Sequence, residues 1–77
     1  MFLIRAQSSV EAEHVADSFG LHRHEWRRMG NSGDDWRGLQ RIKVIVTDCM
    51  RDTPPPAFSM LLRVTQSTVE YVHCHHH

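Results

Sequence analysis

Three short apolar or β-branched runs, Met1–Ala6, Ile42–Asp48 and Thr68–His73, are separated by stretches long enough for helices, and this order constrains the chain more than anything else in it. Strands alternating with helical segments describe a small α/β layer in which consecutive strands are joined by crossover helices. The expected fold class is α/β: a single-layer sheet of about four strands in the order β-α-β-β-α-β, with two main helices. At 77 residues the chain makes one domain, expected over residues 1–74, and a domain this small buries only about 60 to 65% of the surface its unfolded form exposes. Self-association is a ready supplement to so small a core.

The first run, Met-Phe-Leu-Ile-Arg-Ala, suits a strand covered on both faces. Ser8-Ser9-Val10-Glu11 then reads as a capping box, in which the serine hydroxyl accepts from the Glu11 amide and the Glu11 carboxylate reaches back to the serine amide. The expected helix covers Ser9 to Phe19. Its apolar stripe is Ala12, Val15, Ala16 and Phe19, with Glu11, Glu13, His14, Asp17 and Ser18 left for water. Gly20 supplies the left-handed residue beyond the last turn, and Leu21 folds back onto the apolar face.

Between His22 and Gly38 only a short edge strand around Glu25–Met29 is expected, followed by turn chemistry at Gly30-Asn31-Ser32-Gly33 and one helical turn in Asp34–Leu39. Arg41 to Asp48 is β-branched almost throughout and reads as the central strand. Thr53-Pro54 is expected to cap a second helix with proline at its first position, burying Phe58, Leu61, Leu62 and Thr65. Thr68–His73 closes the sheet near an edge.

Nine basic residues balance nine acidic ones, which argues against a chain drawn chiefly to the general field of nucleic acid or an anionic membrane. The charges are unevenly placed: an acidic first helix precedes a basic middle holding Arg23, Arg27, Arg28, Arg37 and Arg41. No apolar run approaches the roughly 20 residues of a membrane span, so a soluble protein is expected. Cys49 and Cys74 have no CxxC spacing and no signal peptide precedes them, which predicts reduced thiols in a cytoplasm. His75, His76 and His77 read as the remnant of a purification tag and carry no function.

Ala16 to Leu21, Glu25-Trp26-Arg27-Arg28-Met29, Trp36-Arg37-Gly38-Leu39, Val44-Ile45-Val46-Thr47 and Arg51-Asp52 form an ordered set. That set resembles small accessory proteins of actinobacterial phages and mobile elements, most without an assigned activity, over residues 4 to 63. The resemblance implies a viral protein in the cytoplasm of a bacterial host, with a fold like a reduced RecA-like half domain. The chain departs from nucleotidases in lacking a GxxxxGK[ST] segment: its first strand runs into Gln7-Ser8-Ser9, with no lysine to hold phosphate and no loop of amides to cradle it.

Two constellations stand out. Asp48, Arg51 and Asp52 follow the carboxyl end of the central strand, where open parallel sheets gather ligands, and Ser8 and Ser9 join them there if the first and central strands are parallel neighbours; the same residues also serve as caps and turn formers. Arg23, Arg27, Arg28 and Arg37 interleave with Trp26 and Trp36, a pattern that holds single-stranded nucleic acid by phosphate contact and base stacking, or makes an ordinary solvated edge with tryptophans turned inward. The His22-x-His24 and His73-Cys74 pairs fall short of the three or four converging ligands of a metal site. No catalytic residue, metal or cofactor is expected. The reading is a non-enzymatic protein that binds a host or phage macromolecule, preferably a protein, with homodimerisation through the last strand, the second helix or the Trp-bearing edge. Nucleic acid at the Arg/Trp edge, or a small ligand or hydrolysis at the Ser8/Asp48/Asp52 corner, is the alternative.

Overall fold

The computed structural model describes residues 1–30, 36 and 38–73. It is an α/β fold built on one four-stranded sheet: β1 (Phe2–Arg5), α1 (Ser9–Ser18), β2 (Trp26–Arg28), β3 (Lys43–Thr47), α2 (Phe58–Val64) and β4 (Thr68–Val72). The strands lie in the order β2-β1-β3-β4, and every pairing is parallel. The β-branched run is therefore interior, with β1 on one side and β4 on the other.

Side chains alternate across a strand, so neighbours in β1 and β3 feed opposite faces. Leu3, Val44 and Val46 join Met29, Trp36 and Ile42 in one buried cluster, against which Phe58, Leu61 and Leu62 of α2 pack. Ile4 and Ile45 join Ala6 and the α1 stripe Ala12, Val15 and Ala16 on the other face. One helix thus covers each face, which explains why β1 and β3 read as nearly continuous apolar runs, interrupted by Arg5 and Lys43.

The sequence signals at α1 hold with three corrections. Ser8 Oγ accepts from the Glu11 amide at 3.2 Å, but Glu11 Oε2 accepts from the Gln7 amide at 3.3 Å, one residue before the serine. Glu11, assigned to water, is consequently buried, while Phe19, assigned to the stripe, is 38% exposed beyond the last turn. The helix ends in a Schellman pair, Gly20 N–H to Asp17 O at 3.0 Å and Leu21 N–H to Ala16 O at 2.9 Å, with Gly20 at φ 70°. Leu21 packs on the α1 cluster as expected.

The start of α2 differs more. It begins at Phe58, not at Pro54, and its N-cap is Ala57 at φ 59°, with no side-chain cap. Each proline of Pro54-Pro55-Pro56 biases the residue before it toward extended geometry, so Thr53, Pro54 and Pro55 resist the helical region. Of the stripe expected to be buried, Phe58, Leu61 and Leu62 are only half-buried where they pack on the sheet and Thr65 alone is buried, with Met60 and Val64 exposed on the outer side. The turn expected at 30–33 and the helical turn at 34–39 fall largely on 31–35 and 37, outside the described residues, as do Cys74 and the three terminal histidines.

Candidate functional site

The chain leaves β1 through α1 toward β2, on one side, and leaves β3 through α2 toward β4, on the other. The carboxyl ends of β1 and β3 therefore form the switch point of a doubly wound sheet, where adjacent connections diverge and open a crevice.

The predicted corner residues lie around this end but take different partners. Ser8 caps α1, and Ser9 Oγ accepts from Arg28 Nη1 at 3.1 Å. Asp48 Oδ2 instead lies 2.8 Å from His73 Nδ1, after β4, and the Arg51 guanidinium sits 5.0 Å over the Tyr71 ring of β4. Asp52 is exposed in the following turn. The serines thus belong with β2, and Asp48 and Arg51 with β4.

Between them lies an open cleft of about 490 Å³, lined by Arg5, Gln7, Arg28, Gly30 and Met50 with Ala6 and Met29. Arg5 points from the last residue of β1 and is only 8% exposed. Its Nη2 donates to Thr53 O at 2.9 Å and its Nη1 reaches Met29 O at 3.5 Å, while its buried Nε has no acceptor. Arg28 comes from the neighbouring strand, where it is opposite Ile4, and also donates to Gln7 O at 3.3 Å. The ion pairs joining described residues are Lys43–Glu70 and His73–Asp48, so no described carboxylate lies within 4 Å of either arginine. Sequence reading missed Arg5, although an arginine inside Met-Phe-Leu-Ile-Arg-Ala is a visible irregularity in an otherwise apolar run.

The Arg/Trp set is also divided. Trp36 is 3% exposed, edge-on to Phe58 with ring centroids 6.1 Å apart, and is unavailable for stacking on a ligand. Arg37 lies outside the described residues. Trp26 is half-buried, and Arg23, Arg27 and Arg28 are exposed around it. Two shallow grooves meet at Trp26, one with Glu13, Asp17, Leu21 and Arg23, the other with Ser9, Glu13, Arg23, Arg27 and Arg28.

The His22 and His24 rings stack 5.9 Å apart, and among the described residues no group of three or more His, Cys, Asp or Glu is placed to hold a metal. Cys49, expected as a reduced thiol, is disulfide-bonded. It follows β3 at the sheet end where β4 also finishes, with Thr47 opposite Val72. No described helix is long and apolar enough to cross a membrane. The chain matches no family model, no curated protein and no solved structure with which it was compared.

Proposed function

We propose that this chain acts by binding a protein partner rather than by catalysis, taking an extended segment of that partner against the outer side of β2. The observation that carries this reading is the setting of β2: an outer strand paired, among the described residues, only with β1, displaying Arg27 and Arg28 beside a half-buried Trp26 that lies between two grooves. An unpaired strand edge is a template for another strand, and Trp and Arg are the side chains that most often dominate such contacts. Because side chains alternate along β2, an added strand meets Trp26 and Arg28 on one face and Arg27 on the other. It therefore suits a segment with acidic residues near the arginines and an apolar side chain near Trp26.

Glu13 lines both grooves and Asp17 lines one, so this edge is mixed in charge rather than uniformly basic, which suits a peptide with a few placed acidic side chains better than the continuous charge of a phosphate backbone. Selection from a random peptide library, followed by fluorescence polarisation, tests the reading: acidic extended sequences are expected, bound about tenfold or more weaker by Trp26→Ala and by Arg27→Glu. Peptides that bind both variants as well as the parent refute it. A mobility shift at low salt that disappears steeply as salt is added would transfer the edge to nucleic acid.

Self-association is a second reading, favoured by β4, whose five residues form the other outer strand, and by Tyr71, Met60 and Val64, exposed nearby and on α2. Monomer mass in light scattering at tens of micromolar would end it. The phage or mobile-element origin implied by the sequence resemblance, and with it work in a bacterial cytoplasm, belong to the same proposal. A cytoplasm normally keeps cysteines reduced and the disulfide at Cys49 speaks against that setting, so whether Cys49 is alkylated in intact cells without prior reduction tests the compartment: modification supports it and protection overturns it.

A further inference from the structure

We propose that the cleft at the carboxyl ends of β1 and β2, bounded by Met50 after β3, is a binding site for a phosphate monoester whose phosphate is held by Arg5 and Arg28. Arginine stays protonated in proteins, and a guanidinium removed from water is expensive unless it is paired. Arg5 is more than nine-tenths buried, yet the acceptors of its Nη groups are two neutral carbonyl oxygens, its Nε has none, and no described carboxylate is within ion-pair distance. Glu11, the buried acid of α1, is engaged with the Gln7 amide instead. An anion in the cleft, against the guanidinium, supplies the counter-charge that no described residue gives Arg5.

Two features select a phosphate monoester within the anions. Arg5 and Arg28 approach the cleft from adjacent strands, and two cations match a group carrying close to two negative charges at pH 7, whereas a single carboxylate leaves one of them uncompensated. The cleft of about 490 Å³ also falls within the roughly 300 to 1,000 Å³ typical of small-molecule sites. That is room for an organic body against Ala6 and Met50 as well as for the anion. The cleft lies at the carboxyl end of the sheet, beside the point between β1 and β3 where the crossover connections diverge.

The full chain is titrated with phenyl phosphate, inorganic phosphate and benzoate at fixed ionic strength, reading Tm and heat of binding. At millimolar concentration phenyl phosphate is expected to raise Tm by several degrees, inorganic phosphate by less, and benzoate not at all. Arg28→Gln, at an exposed position, is expected to weaken phenyl phosphate by about fivefold or more, and Arg5→Met to abolish its effect. The Arg5 Nε–H resonance is expected to shift during the titration. Trp26→Ala, which alters the partner edge and not the cleft, is expected to leave phosphate binding intact. No response to either phosphate compound, an equal response to benzoate, or a response that survives in Arg28→Gln with the Arg5 Nε–H signal unmoved would each overturn the site.

Discussion

Arg5→Met is expected to change the unfolding free energy by no more than about 1 kcal/mol in either direction, because the terms it removes oppose one another. The substitution loses the 2.9 Å bond from Nη2 to Thr53 O, a charge-assisted contact of roughly 1.5–3 kcal/mol. The 3.5 Å contact to Met29 O is at the outer limit of hydrogen bonding and adds little. Thr53 is exposed, so its carbonyl can return to water. Against that loss, methionine relieves a buried N–H without an acceptor, roughly 1–3 kcal/mol, and a desolvated charge without a described counter-ion, while its apolar chain keeps much of the packing against β3. Urea unfolding followed by far-UV circular dichroism measures the difference, provided the slope with denaturant is unchanged. A loss beyond about 3 kcal/mol would refute the reasoning. It would show that the guanidinium works chiefly as a clasp between the ends of β2 and the β3–α2 connection, with an isolated buried charge tolerated for stability.

Three further outcomes are expected. Ile45, fully buried on β3, is expected to cost about 0.5–1.5 kcal/mol as Ile45→Val and about 2–5 kcal/mol as Ile45→Ala; the latter rivals the roughly 3–5 kcal/mol that so small a core supplies, so its thermal transition should be lost or nearly so. Ser8→Ala removes the acceptor of the Glu11 amide and is expected to cost about 1 kcal/mol, seen as faster hydrogen exchange in the first turn of α1. Ala57→Gly relieves a left-handed residue at φ 59°, worth about 1–2 kcal/mol, against about 0.4–1 kcal/mol of added unfolded-chain entropy, so a small rise in Tm is expected; a fall would contradict the observed N-cap geometry.

The elements whose cause is local were legible in the residues. Ser8 and Gly20 mark the ends of α1 because their effects act within one helical turn. Ile42–Thr47 reads as interior because a strand covered on both faces has use for a run that is β-branched at every position but Lys43. The start of α2 was misread although its signal is also local, since proline at a first helical turn is favourable alone but three in succession constrain the residues before them. Tertiary structure decided the rest: that β1 lies between β2 and β3, that Trp36 is enclosed while Trp26 stays half-exposed, that Ser9 joins Arg28 while Asp48 joins His73, and that Arg5 is buried beside a cleft. Spacing along a chain encodes which face a side chain takes, but its neighbours on that face come from strands tens of residues away. Whether a charged group finds a counter-ion there is settled only when the sheet closes.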